Sequence, residues 1–247
     1  MDNSLYVAMS GAKELLDAQA VNNFNLANVD TVGFKAEMAA FQSQATQGSG
    51  YAARVYATES TTGWDESPGA MITTGRPLDV AIQGQGFIAV QGPNGKEAYT
   101  RNGNLHVQAD GMLVTSAGQL VLGTNGPISV PPSTSVRIGS DGTVSAVPDG
   151  QGPDTLITVG RIKLVNPPPD SLTPASDNLF TLAKGVKAPA DASVRLASGV
   201  LESSNVNIAG AMVNMIDLAR DFQLQVKVMK NTDTNAAASS QLLQPGS

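Results

Sequence analysis

Apolar side chains recur at alternating steps of four and three residues along the first part of the chain. The seam consists of Leu5, Met9, Ala12, Leu16, Gln19, Asn23 and Leu26. This heptad spacing predicts a helix over residues 2–28 with one narrow apolar stripe. The last two turns of that helix are polar. Gly33 follows them and favours a reversal of the chain, because glycine tolerates positive φ.

A second seam with the same spacing lies at the other end of the chain. Its apolar part consists of Met212, Met215, Ala219, Phe222, Val226 and Met229. Neither Gly nor Pro occurs in residues 211–244, so the pattern predicts a helix from just after Asn205 to about Leu243. At about 1.5 Å per residue this helix would be about 50 Å long. Its seam is weak in the last third.

The middle of the chain, residues 78–182, has a different pattern. Short apolar runs alternate there with Asn-Gly and Asp-Gly or similar pairs, which begin at positions 94, 102, 110, 125, 141 and 149. Such pairs favour tight hairpin turns, because their residues accept positive φ. Closely spaced short strands of this kind predict an all-β sandwich or barrel. Between residues 45 and 75 no period dominates, and we predict an extended connector with strand pieces around 54–57.

The predicted fold is therefore α+β, an all-β central domain flanked by two amphipathic helices. A helix of this length cannot bury its stripe alone, since isolated helices gain little from propensity. Either the two ends pack on each other or both pack on other chains. The predicted segments are residues 1–35 for the first helix, 36–75 for the connector, 76–185 for the β domain, 186–204 for a return connector and 205–247 for the second helix.

Composition excludes several classes of function. Aromatic residues make up 4% of the chain, so we expect a thin, aliphatic core. The net charge of −6 argues against a basic surface for nucleic acid or anionic lipid. The absence of cysteine excludes disulfide scaffolds, thiol catalysis and cysteine-ligated metals. No apolar run approaches the ~20 residues of a membrane span, and no standard secretory signal is visible at the start.

Few residues suggest chemistry. His106 is the sole histidine, and its place between Leu105 and Val107 predicts the exposed face of a strand. The Gly84-Gln85-Gly86 run lacks the third glycine of a dinucleotide loop and leads into a strand, so a β-turn or bulge is the better interpretation. The polar Asn23, Asn25 and Asn28 are expected to cap the first helix and form local turns. We predict no catalytic, metal or cofactor site, and no enzymatic activity.

Four separated motifs resemble the bacterial flagellar rod and hook family. Residues 23–35, Asn-Phe-Asn-Leu-Ala-Asn-Val-Asp-Thr-Val-Gly-Phe-Lys, resemble its amino-terminal signature. The others lie in family order along nearly the whole chain. They are residues 75–87, 99–103 and 111–115 in the β region, and residues 201–207 followed by Met212, Met215, Ile216, Arg220 and Phe222. Phe24 departs from the usual pattern, because it replaces a polar residue at the end of the first helix.

The resemblance implies a structural subunit of the rod, the drive shaft that crosses the periplasm and transmits torque. Within the family the opening residues look most like the proximal rod members, with the distal rod members as the alternative. The implied partners are other copies of the chain, other rod proteins including the distal rod protein, and the flagellar type III export apparatus. No cofactor, nucleic acid or direct membrane insertion is implied. A secreted β-rich binding module or hydrolase is the alternative from another class.

The same resemblance places the terminal helices near the axis of the rod, with the β domain outside. Residues of both seams and of the amino-terminal signature would then form the interface between subunits. The expected interface residues are Leu5, Met9, Ala12, Leu16, Asn23, Asn25, Leu26, Asn28, Gly33, Phe34, Met212, Met215, Ala219, Phe222, Val226 and Met229.

Overall fold

The computed structural model describes residues 3–45, 55–152, 155–182 and 186–242. It contains a long helix at each end and antiparallel strands between them, which confirms the predicted fold class. The chain divides into two compact units. We call residues 1–28, 36–65 and 206–247 the helical unit, and residues 29–35 and 66–205 the β unit.

The helical unit contains two helices and one hairpin. Helix α1 spans Asn3–Ala27 and helix α2 spans Ile208–Leu242, close to the predicted ranges, although Leu243 lies outside the described residues. The helices are antiparallel, because the Asn22 amide donates to the Ala211 carbonyl at 2.9 Å while Gly11 faces the side chain of Gln225. The C-terminal helix thus packs against the N-terminal one.

Two long strands occupy the segment that the sequence predicts to be an extended connector. Strand β1 spans Glu37–Ala45 and β2 spans Val55–Trp64, and they pair in antiparallel register from Glu37 opposite Trp64 to Ala45 opposite Val55. Arg54, which the sequence places in a strand piece, lies outside the described residues. Long polar strands of this kind lack the apolar alternation that would reveal them in a sequence.

The β unit is built from short antiparallel strands. A five-stranded sheet has the order β14-β5-β6-β16-β15, and a three-stranded sheet has the order β11-β12-β13. Paired strands β3 with β18, β4 with β17, β7 with β8 and β9 with β10 complete the described part. The strands are β3 Met71–Thr73, β4 Val80–Gln83, β5 Phe87–Gln91, β6 Glu97–Thr100, β7 Leu105–Val107, β8 Leu113–Thr115, β9 Leu122–Gly123, β10 Gly126–Pro127, β11 Ser133–Ile138, β12 Thr143–Pro148, β13 Ile157–Arg161, β14 Leu164–Val165, β15 Leu172–Ala175, β16 Leu179–Leu182, β17 Arg195–Ser198 and β18 Val200–Glu202.

The predicted hairpin turns are largely confirmed. Of the six glycines in the predicted turn pairs, five have positive φ, and these are Gly95, Gly111, Gly126, Gly142 and Gly150. Gly103 is the exception, because it is needed for space: a Cβ there would overlap the carbonyl of Val80. The single strand expected over residues 156–165 is instead two strands in different sheets, β13 and β14.

The core of the β unit is aliphatic, as the low aromatic content predicts. Its central members are almost fully buried: Val80, Ile82, Ile88, Val90, Leu105, Leu113, Val121, Val144, Ile162 and Leu196. Aromatic rings flank this cluster, with Phe87 and Phe180 at 5.3 Å between centroids. Within the described residues, no helix is both long and apolar enough to cross a membrane.

Candidate functional site

Helix α1 presents its small residues to the interior of the helical unit and its large ones to the outside. Ala8, Ala12 and Ala18 are buried, whereas Met9 is 54% exposed and Leu16 is 48% exposed. Tyr6 and Phe24 are about half exposed as well. Small side chains let two helices approach closely, so the alanine face of α1 is the one that packs on α2.

The phase of the predicted seam on α1 is therefore wrong as a description of packing within the chain. Among its members only Ala12 is buried, while Leu5, Gln19 and Leu26 are half-buried and Met9, Leu16 and Asn23 are exposed. The sequence signal was strong for the large residues, because hydrophobicity scales weight Met and Leu above Ala. The inward face is marked by alanines, which carry a weaker signal.

Helix α2 shows a similar division. Ala211 is buried, and Met215, Leu218, Phe222 and Met229 are half-buried. Two members of the predicted seam, Met212 and Val226, are exposed, and Ala219 is half-buried. Further large apolar residues are also exposed on α2: Ile208, Val213, Ile216, Leu224 and Val228. Both helices thus carry more exposed apolar side chain than a closed two-helix pair would need.

The asparagines at the end of α1 have distinct roles. The Asn28 amide donates to the carbonyl of Phe24 at 2.9 Å and so closes the last turn of the helix, as predicted. Asn25 differs from the prediction, because its amide donates to the carbonyl of Glu37 and its Oδ1 accepts from the Glu37 N–H, both at 2.8 Å. This reciprocal pair fixes the start of β1 to α1. Asn23 is exposed.

A groove of about 430 Å³ runs between α1 and α2 inside the helical unit. Its charged lining residues are Glu37, Asp217 and Asp221, and none of its ten described lining residues is Lys, Arg or His. Partial burial raises the pKa of the Glu37 carboxyl above its ordinary value. The groove is therefore acidic, with apolar patches from Val21, Met38 and Leu218.

The β unit contains a buried ion-pair cluster around Glu202. The side chain of Glu202 is 0% exposed. One oxygen, Oε1, accepts from Lys35 Nζ at 2.7 Å and from the Gly69 N–H at 3.0 Å, and Oε2 accepts from Arg101 Nη1 at 2.9 Å. Burial alone would raise the pKa of Glu202, but Arg101, Lys35 and the Gly69 N–H outweigh it, so the pKa lies below its ordinary value. Glu202 therefore stays ionised.

The same cluster holds together the three segments of the β unit that lead out towards the rest of the chain. Lys35 Nζ also donates to the Ser67 carbonyl at 2.8 Å, and the Asn205 amide donates to the same carbonyl at 3.0 Å. The Gly33 N–H donates to the Glu202 carbonyl at 2.8 Å. Segments near residues 33–35, 67–69 and 202–205 are thus cross-linked by buried polar contacts.

Gly33 and Phe34 lie in this cluster, inside the β unit. Gly33 has φ +67°, as the predicted reversal requires, and a Cβ there would overlap the backbone of Arg101. Phe34 is buried. The expectation that these two residues form an exposed interface is corrected by their burial, and we assign them an anchoring role instead.

Sequence reasoning missed the cluster as a unit. Its charged members, Lys35, Arg101 and Glu202, each follow a short apolar run that ends in a strand or a turn. In a chain with 15% charged residues, three opposite charges placed next to buried strands were an available signal. Their partners are separated by up to 167 positions, so no local pattern could pair them.

The remaining candidate residues lie apart from one another. His106 is half-buried on β7, opposite Val114 on β8, and Gly84 and Gly86 form the turn between β4 and β5 with positive φ. Among the described residues, no group of three His, Cys, Asp or Glu side chains could hold a metal ion.

Comparison with known proteins gives three family matches in chain order. Residues 5–35 match the family described as "Flagella basal body rod protein". Residues 81–146 match the "Flagellar hook protein FlgE/F/G D1 domain" and residues 197–242 the "Flagellar basal body rod FlgEFG protein C-terminal". These matches include Lys35, Arg101 and Glu202.

Whole-chain relatives agree with these matches. The flagellar basal-body rod protein FlgF of Salmonella typhimurium strain LT2 is 43% identical over 98% of this chain and 99% of its own length. FlgF of Escherichia coli strain K12 has the same identity and coverage. The flagellar basal-body rod protein FlgG of Bacillus subtilis strain 168 is 35% identical over 94% of this chain and 96% of its own length.

Proposed function

The chain belongs to the flagellar basal-body rod protein family and is a structural subunit of the rod in the basal body, and we propose that it assembles there through the outward faces of α1 and α2. It is more similar to the FlgF proteins of Salmonella and Escherichia than to FlgG of Bacillus. We accordingly favour the proximal part of the rod, with the distal part as the alternative.

The observation that carries this proposal is the exposure of large apolar side chains on both helices. Met9 and Leu16 on α1, together with Met212 and Val226 on α2, lie on outward faces while alanines fill the inward face of α1. Extended apolar exposure on a soluble chain marks an interaction surface. Neighbouring rod subunits are the partners that would cover it. The other rod proteins and further copies of this chain are the expected neighbours.

The β unit then acts as a rigid body that the assembled helices carry. Its core is complete without further partners, and the Glu202 cluster fixes the segments through which mechanical load would enter it. Buried charge pairs with several hydrogen bonds hold a defined geometry. In this proposal torque is transmitted by many buried apolar contacts between helices, and no catalytic step is involved. Delivery by the flagellar type III export apparatus and a position across the periplasm complete the proposal.

Thiol labelling tests the proposed interface, because the chain has no cysteine of its own. We expect the cysteine of Met9→Cys to react with a maleimide in the purified subunit and to be protected in isolated basal bodies. The matched control is Ala12→Cys, three residues along the same helix but buried, which should be protected in both. Equal labelling of Met9→Cys in the subunit and in basal bodies would contradict the proposal.

A further inference from the structure

Helix α2 carries opposite charge on opposite sides. Asp221 lines the acidic groove between α1 and α2, whereas Lys227 and Lys230 are exposed elsewhere on the helix. The nine positions from Asp221 to Lys230 are about two and a half turns, which places them on opposite sides of α2. Two exposed apolar residues, Ile216 and Val226, lie on the side of the lysines.

The groove contains a carboxylate without a partner. Glu14 extends the α1 wall of the groove by one turn, since residues 14, 18, 21 and 25 follow the 4-3-4 spacing of one helix face. Glu14 is 7% exposed, and its Oε2 has no hydrogen-bond partner. A buried carboxylate oxygen without a donor costs free energy, so the wall of this groove is one donor short within the single chain.

From this placement we propose that the groove of one copy receives the Lys227–Lys230 face of α2 from a second copy of the chain. The proposal rests on the rod-subunit function above and names the contact. Glu14 and Asp221 would accept from the two ammonium groups, while Val226 would cover the apolar part of the groove. Asp217 is already within 3.9 Å of Arg220 on its own helix and is a lesser acceptor.

The geometry of this contact suits an open assembly. The acceptor and donor surfaces lie on different sides of the same unit, so the contact is heterologous, and each copy can use both surfaces at once. Heterologous contacts repeat along a ring or a helical filament, whereas self-complementary contacts close at a dimer. A contact of this kind is what a subunit of a tubular structure needs.

Charge exchange tests the proposal in cells that carry only the altered gene. Asp221→Lys alone, and Lys227→Glu with Lys230→Glu, should each give at least about tenfold fewer completed rods, because like charges then face each other across the contact. Combining the three substitutions should restore rods and swimming. Loss with no restoration would overturn the assignment to a second copy, and unchanged assembly in either single-surface variant would overturn the contact itself.

Two controls keep these outcomes interpretable. Glu66→Lys with Lys96→Glu exchanges exposed charges on the β unit and should leave rods unchanged. Each purified variant should unfold at the wild-type temperature, which separates lost assembly from lost folding. Glu14→Gln keeps the shape of the side chain and should weaken assembly less than Asp221→Lys.

Carbodiimide treatment of isolated basal bodies supplies an independent readout. It should join Glu14 or Asp221 to Lys227 or Lys230, and mixed isotope labelling should show that the joined peptides come from different copies. Links from these acids only to lysines of another rod protein would overturn the choice of a second copy. In that case the protection of Met9→Cys would still hold, so the wider rod proposal is tested separately.

Discussion

The two units of the chain treat their large apolar side chains in opposite ways. In the β unit Ile82, Ile88 and Leu105 are almost fully buried. In the helical unit alanines fill the inward face of α1, and Met9 and Leu16 remain about half exposed. The first unit satisfies its core from its own strands, whereas the second leaves much of its apolar surface uncovered. This difference separates residues that maintain the fold from residues available for assembly.

Polar groups repeat the contrast. The carboxylate of Glu202 in the β unit accepts three hydrogen bonds from within that unit. The carboxylate of Glu14 in the helical unit has one oxygen without a donor. A saturated buried charge holds a structure in place, while an unsaturated one favours the arrival of a partner.

The largest effect on stability is expected from Glu202→Ala. This change leaves Lys35 and Arg101 buried without their anion, and the loss of one partner of a buried pair costs about 3–5 kcal/mol. We expect the free energy of unfolding in urea to fall by about that amount. Glu66→Ala, an exposed acid on the same unit, is the control and should be nearly neutral. A loss below about 1 kcal/mol for Glu202→Ala, in the range of an exposed ion pair, would mean that the cluster does not anchor the β unit.

Gly33→Ala should be the next most damaging change. Gly33 and Gly75 both have positive φ, but only at Gly33 would a Cβ overlap backbone atoms. Gly75→Ala should therefore cost only the left-handed backbone term of about 1–2 kcal/mol. Gly33→Ala should cost distinctly more by the same urea measurement. Equal losses for the two variants would show that the close approach to Arg101 is not needed.

A smaller effect is expected from acid. Because the pKa of Glu202 is lower in the folded protein than its ordinary value of 4.5, the ionised carboxylate stabilises the fold above that pH. This contribution should be lost as the pH falls through the folded pKa. Urea unfolding between pH 7 and pH 3 should show a steeper loss for the wild-type protein than for Glu202→Gln. Parallel curves would remove the ion-pair explanation.

The sequence predicts the elements of this fold better than their faces. Heptad spacing locates α1 and α2 to within a few residues, because periodicity survives any choice of inward side. It does not choose that side correctly: Met9 and Leu16 dominate the pattern, although the packing uses Ala8 and Ala12. A close helix pair selects small residues, and this selection is weak in a scale based on hydrophobicity.

Turn chemistry was equally readable in the β unit, since a glycine that needs positive φ is a local requirement. The Glu202 cluster was not, because Lys35, Arg101 and Glu202 come together only through the folded topology. The β1–β2 hairpin was missed because its strands are polar and do not alternate. Local rules thus reach the turns and helices, whereas long-range polar contacts need the structure.

Leu16→Asp tests the central contrast most directly, with the smallest expected effect on the isolated chain. Leu16 is 48% exposed, so the purified subunit should unfold within about 2 °C of the wild-type temperature, as for other exposed substitutions. In cells the same change should prevent completion of the rod, because it places a charge on the surface that neighbours cover. Normal rods with an unchanged unfolding temperature would contradict the account. A strongly lowered temperature with normal rods would contradict it as well, since Leu16 would then belong to an internal core.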